Sequence, residues 1–482
     1  MGFLRKLRLL KLGRIAWALL LAGFFWGFQG RVMKSHFGPD EMMNIYGYWH
    51  PPLWRVFLAN LGFWSKFVRP MAAIYYLPLF HFFKLNPVPY NAVRIVLLGV
   101  NTLLFYQVAR LITGSWWTAV LASFPVAYQA NLGNLAFDGA FIYDALSGGF
   151  FFGALLYYLH ARRGREQLSI GQTAVFLVLY ICALDAKEMA VSLPVLVFVY
   201  EAARDYGRFN WRNLLHRLAP SLAAGGVTLI YILGKSIGAG SLTNIDAYRP
   251  VFTWTRFSES TVRFMNTIFY TDGFTMEHAL TLWAALLCAG IVGLLRRRRR
   301  DPRWILLWVW VMVTPLPIVF LPGRGAALLY LVAAGWAIAA AMMLRSVAWL
   351  LSRHLFLGRP GRFATMSLCL FLCAAAYASE TRTAHRYQVY GYLLTGKDTA
   401  AIIDKVEKMN LHPKPGSTVM FLRDPAPDTY DITFISTLVW DDHSLQIWQQ
   451  GQSHLPQEDA WKMDYVIDYA DGKFVILKQP HA

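Results

Sequence analysis

Two adjacent carboxylates, Asp40 and Glu41, stand in the aromatic stretch FGPDEMMNIYGYW, residues 37–49. A carboxylate at a membrane surface can take a proton from an acceptor hydroxyl during group transfer, so the pair could supply a general base. Asp after Pro39 is also typical of a helix N-terminus, where carboxylates accept backbone N–H bonds and suit the helix dipole. Both interpretations stay open for the pair taken alone.

Two further acidic residues, Asp138 and Asp144, flank the start of an apolar run in NLAFDGAFIYDALSGG. Asp138 followed by Gly139 is typical of a simple turn. Asp144 is expected at or just within the membrane edge, where an unpaired carboxylate is costly and usually has a partner or a function.

Cations occur in similar positions. The segment LDAKEMAVSLPVLVFVYE places Lys187 beside Glu188 and Asp185 in a tight connection between two apolar runs. Lys187 could contact a lipid phosphate near the bilayer surface, or the connection could be a solvated hairpin with an internal ion pair.

Three arginines add to this set. Arg324, in FLPGRGAALLY, is either an interfacial anchor or a bidentate ligand of a phosphate. Arg69, in VRPM, and Arg94, in NAVRIV, are further candidates for binding a phosphate.

The composition indicates that these residues belong to a membrane protein. Of 482 residues, 56% are hydrophobic and 15% charged, and the mean hydropathy is +0.37, which predicts an all-α polytopic membrane protein. The net charge of +18 comes from basic clusters between apolar runs. Such clusters mark cytoplasmic loops, so a nucleic-acid partner is not expected. All four cysteines lie in apolar runs and are interpreted as packing residues.

The apolar runs predict about eleven membrane-spanning helices that start from a cytoplasmic N-terminus. They lie near residues 15–33, 92–112, 116–132, 141–160, 168–184, 187–203, 218–236, 279–295, 303–321, 326–344 and 363–379.

This threading divides the chain into a membrane module, residues 1–380, and a C-terminal domain, residues 381–482. The polar, alternating stretches of the C-terminal part predict a small α/β domain on the extracytoplasmic side. Residues 34–91 form a long external loop in which 71–83, too short to span and interrupted by Pro78, is expected to lie as an interfacial helix.

On this threading, carboxylates and cations from several loops meet on one membrane surface. Carboxylates there could handle a proton, and cations could hold a phosphate leaving group. A polyprenyl-phosphate sugar fits both requirements, because its chain can stay in the lipid while the bilayer presents the sugar.

The residues that carry these features resemble the GT-C fold of membrane glycosyltransferases, whose acidic motif lies in the first large external loop, as PDEMMN does here. The closer resemblance is to the protein O-mannosyltransferase group, including the transmembrane and TPR-repeat O-mannosyltransferases and their bacterial relatives. It is carried by the segment from RPMAAIYYL to VLASFPV, by YDALSGGFFFGALLYYL, and most specifically by AKEMAVSLPVLVFVYE. TPR repeats themselves are absent from the sequence.

The resemblance implies roles for individual residues. Asp40 would be the catalytic base and Glu41 its partner, while Lys187, Glu188 and Arg324 would line the lipid-phosphate end. It implies inversion at the anomeric carbon and an acceptor that is a protein, a lipid or a glycan.

A metal ion is left open by the same resemblance. Asp40 and Glu41 with Asp144 could hold Mg²⁺ or Mn²⁺ through oxygen ligands, but no histidine-rich cluster reinforces such a site. The Asp441, Asp442 and His443 run is typical of a solvated turn. The chain contains no Asn-x-Ser/Thr acceptor, which favours a bacterial inner membrane with the C-terminal domain in the periplasm.

Two other classes of function are compatible with the same residues. A transporter or flippase of lipid-linked saccharides would use the carboxylates as ligands of a coupling ion, although transporters usually carry inverted repeats and charges near the midplane. A noncatalytic scaffold would instead use its C-terminal domain to bind a partner.

An Asp40→Asn variant separates these three functions. In a glycosyltransferase we expect it to insert and fold normally but to lose sugar transfer by about 100-fold or more, since the base is gone. A transporter would lose the ion dependence of transport, and a scaffold would change little. Transfer of radiolabelled sugar in membranes, together with the amount of inserted protein, provides the measurement.

Overall fold

The computed structural model of the chain describes residues 2–49, 51–52, 54–56, 58, 69–165, 167–204, 211–237, 244–295, 303–324, 326–354, 359–426, 431–453 and 457–480. Most of these residues are helical. The longer helices of the membrane module are α1 Gly2–Gln29, α2 Pro39–Tyr48, α3 Ala73–Phe83, α4 Pro87–Thr113, α5 Trp116–Ala127, α6 Ile142–Ala161, α7 Ile170–Ala186, α8 Leu193–Arg204, α9 Trp211–Ser236, α10 Trp254–Phe269, α11 Met276–Leu295, α12 Arg303–Val313 and α13 Tyr330–His354. A last long helix, α14, follows at Arg359–Lys408.

Seven helical segments in the described part of the chain are long and apolar enough to cross a membrane. Each coincides with one of the eleven predicted spans, and they are Gly13–Lys34, Pro87–Thr113, Gly139–Ala161, Leu215–Ser236, Met276–Leu295, Ala326–His354 and Ala364–Lys408. The remaining four predicted spans are also helical but shorter. Among them, 116–132 ends as a helix at Ala127, and 303–321 is divided into α12 and a short turn at Leu316–Val319.

Capping residues explain where the helices in this bundle begin and end. Asn86 caps α4 by accepting a hydrogen bond from the Val88 amide at 3.1 Å, and Pro87 occupies the first helical position. The helix ends at Gly114, whose φ of 63° lies in the left-handed region that suits glycine. Ser115 then caps the start of α5.

Close packing of α13 fixes the centre of the bundle. Small residues along its first half let neighbouring helices approach. A Cβ at Gly335 would lie 2.5 Å from Cδ1 of Trp310 on α12, so the indole packs directly on the α13 backbone. The Trp310 Nε1 donates a hydrogen bond to the Leu331 carbonyl at 3.0 Å, which also satisfies the buried indole.

The C-terminal part continues from the membrane module without a break in the helix. α14 runs through the predicted boundary at 380 to Lys408. Beyond it lie strands β1 Thr418–Phe421, β2 Gln446–Gln449, β3 Tyr465–Ala470 and β4 Lys473–Lys478, with helix α15 at Asp431–Trp440. The sheet order is β2-β1-β3-β4; β1 is parallel to β2 and β3, and β4 is antiparallel to β3.

This C-terminal sheet and helix are seated on the first loop of the membrane module. The rings of Tyr46 on α2 and Phe434 on α15 lie 5.1 Å apart. Lys84, just after α3, pairs with Asp441 at 2.6 Å between nitrogen and oxygen. The segment 71–83, predicted as an interfacial helix, is helical as α3. Its location at the interface stays a prediction. The C-terminal part therefore covers the same loop that carries Asp40.

A buried ion pair joins α6 to α8 at the end of the bundle remote from Asp40. Arg162 Nε donates to Glu201 Oε1 at 2.7 Å, and the Tyr158 hydroxyl donates to the same oxygen at 2.8 Å. Both charged side chains are almost fully buried, at 1% and 0% exposure. Their charges are therefore satisfied by each other rather than by water.

Replacing Glu201 with leucine should leave Arg162 buried without its counter-charge. We expect the free energy of unfolding to fall by about 3–5 kcal/mol, because removing one partner of a buried pair leaves an uncompensated charge. The Arg162→Met/Glu201→Leu double variant should recover much of this loss. Denaturant or thermal unfolding in detergent measures both, and equal stability of the single and double variants would contradict the assignment.

Candidate functional site

Asp40 and Glu41 lie on the first turn of α2, where successive side chains point about 100° apart. Gly38 precedes the helix without any side-chain cap, and Pro39 occupies its first position, so Asp40 is not the capping residue. Asp40 is exposed, whereas Glu41 is 2% exposed. Of the two neighbouring acids, only Asp40 is therefore accessible to a substrate from solvent.

Glu41 is held by a cation and a backbone amide. Its Oε1 lies 3.5 Å from Nη1 of the buried Arg94, and its Oε2 accepts a hydrogen bond from the Gly139 amide at 3.2 Å. A Cβ at Gly139 would lie 1.5 Å from Glu41 Oε1, so only glycine permits this approach. Glu41 thereby joins α2 to the residues that open α6 and has a positioning role.

Arg94 is held in turn by polar groups around it. Its Nη2 donates to the Asn91 side-chain oxygen and contacts Ser35 Oγ at 3.4 Å. Asn91 also donates to the Ser35 carbonyl at 2.8 Å. This network fixes the segment between α1 and α2 against α4 and holds the buried Arg94 next to Glu41.

Asp138 forms the turn that the sequence predicts and also lies near Asp40. Its Oδ1 accepts a hydrogen bond from the Ala140 amide at 2.9 Å. Burial raises the pKa of this carboxyl above its ordinary value, and the negative charge of Asp40 adds to the increase. The two carboxylates are therefore electrostatic neighbours, although they belong to different loops.

A second cluster combines two ion pairs from three segments. Arg69 donates through Nε and Nη2 to the two carboxylate oxygens of Glu188, each at 3.3 Å. Lys187 lies 3.4 Å from Asp144, nitrogen to oxygen. The connection between α7 and α8 is therefore more than a solvated hairpin, because both of its charges are engaged by other parts of the chain.

The phenol ring of Tyr143 lies beneath both cations of this cluster. The Arg69 Cζ is 5.1 Å and the Lys187 Nζ is 5.9 Å from the ring centroid, within the range of cation–π interactions. The Tyr143 hydroxyl donates to Asn44 Oδ1 at 2.8 Å. Asn44 is one helical turn after Asp40 on α2, so Tyr143 links the two clusters.

Arg324 joins the cluster through a second tyrosine. Its Cζ lies 4.0 Å from the ring centroid of Tyr248. Although burial raises the pKa of the Tyr248 phenol, the charge of Arg69 and its hydrogen bond lower that pKa below its ordinary value. Tyr248 therefore stands between Arg324 and Arg69. Three of the four predicted cations, Arg69, Lys187 and Arg324, are thus brought together in this cluster.

The nine predicted residues thus fall into two neighbouring groups. One contains Asp40, Glu41, Arg94 and Asp138. The other contains Arg69, Asp144, Lys187, Glu188 and Arg324.

The sequence reasoning did not identify Asn44, Tyr143 or Tyr248. Tyr143 stands next to Asp144 in a quoted stretch, and Asn44 stands at i+4 from Asp40, so both could be found by asking which residues share a helix face. Tyr248 lies about 180 residues from Arg69 along the chain, and no local pattern indicates it.

Within the described residues no group of three or more His, Cys, Asp or Glu side chains is arranged to hold a metal ion. Of the three carboxylates considered for a metal, Glu41 faces Arg94 and Asp144 faces Lys187. The carboxylates of the run at 441–443 likewise have protein partners: Asp441 pairs with Lys84 after α3, and Asp442 accepts hydrogen bonds from the Ser444 amide and hydroxyl.

The chain is similar in fold to solved structures of ArnT from Cupriavidus metallidurans. With the structure bound to undecaprenyl phosphate, the TM-score is 0.53 and the sequence identity 13%, with 95% of this chain and 93% of that chain covered. With the apo state, the TM-score is 0.52 and the identity 12% at the same coverage. ArnT is a GT-C fold glycosyltransferase, and the predicted GT-C fold is confirmed.

No family model and no curated protein matches the sequence. Membership of the protein O-mannosyltransferase group therefore stays a prediction.

The burial of Glu41 gives stability a measurable pH dependence. Burial raises the pKa of this carboxyl from 4.5 to about 7, against the opposing effect of the Arg94 charge. The folded state consequently binds the proton more tightly than the unfolded state, so this contribution to stability is fully present below about pH 4.5 and is lost as the pH rises through about 7.

We expect the melting temperature of the wild type, relative to that of a Glu41→Gln variant, to decrease between pH 5 and pH 8. The change corresponds to roughly 3 kcal/mol at most. Thermal unfolding of both proteins in detergent across this range is the measurement. Two parallel stability curves would show that Glu41 does not titrate in this window.

Proposed function

We propose that this protein is an integral membrane glycosyltransferase that transfers a sugar from a polyprenyl-phosphate donor to an acceptor hydroxyl. The observation that carries the proposal is the cluster of Arg69, Lys187 and Arg324 on two tyrosine rings, beside the helix that carries an exposed Asp40. This arrangement supplies charge for a leaving phosphate and a carboxylate for an incoming hydroxyl.

The phosphate of the donor would bind at the cationic cluster. Glu188 orients Arg69 and Asp144 orients Lys187, while Arg324 lies against the same cluster through the ring of Tyr248. The tyrosine rings hold the cations without neutralising them. The similar ArnT structure was solved with undecaprenyl phosphate bound, which supports the choice of a polyprenyl phosphate as the lipid.

Asp40 would act as the general base. It is exposed. Asn44 on the same helix accepts a hydrogen bond from Tyr143, and the Tyr143 ring contacts both Arg69 and Lys187. Asn44 lies one helical turn after Asp40, so it links the helix of the proposed base to the proposed phosphate site. Glu41 would position α2 through its buried contacts with Arg94 and Gly139.

The reaction would be a single displacement with inversion. The acceptor oxygen forms a bond to the anomeric carbon as its proton passes to the Asp40 carboxylate. The bond between that carbon and the phosphate oxygen breaks on the opposite face, and the polyprenyl phosphate leaves with the electron pair. Lys187 and Arg69 stabilise the negative charge that develops on the leaving oxygen.

A divalent cation has no role in these steps as proposed. Two of the carboxylates considered for Mg²⁺ or Mn²⁺ already face protein cations. The acceptor is proposed only as a hydroxyl of a protein, a lipid or a glycan, reached on the side of the membrane that carries Asp40. The charge pattern of the loops supports the extracytoplasmic side, and the absence of an Asn-x-Ser/Thr acceptor from the sequence supports a bacterial inner membrane, so we propose that this side is the periplasm.

Incubation of the purified protein with a panel of polyprenyl-phosphate sugars, followed by mass analysis of the products, tests the activity. We expect Lys187→Gln to lower kcat/KM by about 100-fold, because one stabilising cation at the leaving group is lost. Lys187→Arg should retain part of the activity.

The controls separate charge at the site from folding. Asp404→Asn removes an exposed carboxylate on α14 that pairs only with Lys408 among the described contacts, and it should leave transfer unchanged. Because Lys187→Gln also leaves Asp144 buried without its cation, a Lys187→Gln/Asp144→Asn variant checks whether stability recovers while activity does not. Full activity of Lys187→Gln on every active donor would overturn the phosphate assignment.

A further inference from the structure

A groove lies between α1 and α14, apart from the candidate site, with a volume of about 670 Å³. Volumes of this size are typical of small-molecule sites. Aromatic and small residues from both helices form its apolar part, among them Trp17, Gly23, Phe24, Gly27, Ala374 and Ala378. Because these residues belong to two membrane-spanning segments, an acyl chain from the surrounding lipid can lie along the groove.

The end of the groove that faces the same membrane surface as Asp40 is strongly basic. Arg31, just after α1, and Arg382 and Arg386 on α14 line this end. All three side chains are exposed, and none of them forms an ion pair within the part of the chain that the structure describes. Three uncompensated cations at the mouth of an apolar groove favour an anionic headgroup.

A buried histidine between the basic and apolar parts has one ring nitrogen without a hydrogen-bond partner among the described residues. His385 lines the groove and is 4% exposed. Its Nδ1 lies 2.7 Å from the Tyr128 hydroxyl, whereas its Nε2 has no hydrogen-bond partner among the described residues. When the Tyr128 hydroxyl donates to Nδ1, a neutral imidazole carries its proton on Nε2 and can donate it to a ligand oxygen.

We propose that this groove binds an anionic glycerophospholipid as a resident ligand. One acyl chain would lie between the small residues of α1 and α14, and the phosphate would contact Arg382, Arg386 and Arg31. The ester or phosphate oxygens would accept the Nε2 proton of His385. Any apolar groove in a bilayer is filled by hydrocarbon, and the three arginines make this one selective for a negative headgroup.

This site is distinct from the proposed donor site. None of the residues that line the groove belongs to either cluster around Asp40 and Lys187. Tyr128 and Phe137, from the segment before α6, pack against His385: the Tyr128 hydroxyl lies 2.7 Å from its Nδ1, and the Phe137 ring centroid lies 5.9 Å from that of the imidazole. A lipid here would fill the space between α1 and α14 and so support the helix that continues into the C-terminal part.

Native mass spectrometry of the full chain, titrated with palmitoyl-oleoyl phosphatidylglycerol or phosphatidylcholine after delipidation, tests the proposal. We expect phosphatidylglycerol to bind the wild type more tightly. The Arg382→Gln/Arg386→Gln variant should weaken that binding by about tenfold or more while leaving phosphatidylcholine binding unchanged. Ala375→Trp, which adds bulk to the groove wall, should weaken binding of both lipids.

A charge-matched control removes two exposed lysines of the C-terminal part, Lys462 and Lys473, by substitution with glutamine. It should bind phosphatidylglycerol as the wild type does. Equal affinity for the two lipids in the wild type, or undiminished phosphatidylglycerol binding in the double arginine variant, would overturn the proposal. Because the readout is lipid mass rather than sugar transfer, it is independent of whether the proposed enzymatic activity is present.

Discussion

The candidate site depends on a buried contact between Glu41, Arg94 and the backbone of Gly139. Burying two charges is costly unless they are paired and hydrogen-bonded. Here Glu41 and Arg94 face each other, Glu41 accepts a hydrogen bond from the Gly139 amide, and Arg94 donates one to Asn91. The contact brings α2 and the start of α6 together, and with them Asn44 and Tyr143. This buried contact therefore helps to fix the exposed carboxylate of Asp40 relative to Arg69 and Lys187, the two cations that lie against the Tyr143 ring.

A division of roles between neighbouring charges follows from this arrangement. Glu41 and Arg94 are sequestered, whereas Asp40 faces outward. In the second cluster, the carboxylates of Glu188 and Asp144 orient cations that tyrosine rings also contact. Such pairing keeps long side chains ordered before a ligand binds, which lowers the entropic cost of holding a phosphate.

The sequence predicted the membrane fold, a helix at α3 and the gathering of charged residues from several loops, because hydropathy and basic loops follow directly from the physics of the bilayer. It could not separate Asp40 from Glu41, since only the helix phase and the approach of Gly139 determine which acid is buried. Arg94 was considered for phosphate binding, but its partner is Glu41. The short helices α5 and α8 were predicted as full spans. Hydropathy alone does not show that α5 ends soon after Pro125, or that a 3-10 turn at Glu188–Ser192 precedes the start of α8.

The most direct test of the central claim is an experimental structure of the protein with a polyprenyl phosphate bound. The account predicts phosphate oxygens within hydrogen-bond distance of Lys187 and Arg69, with the open space next to the phosphate bounded by Asp40. A phosphate bound elsewhere, such as among the basic residues Arg110, Arg163 and Arg303 at another cavity of the bundle, would contradict it.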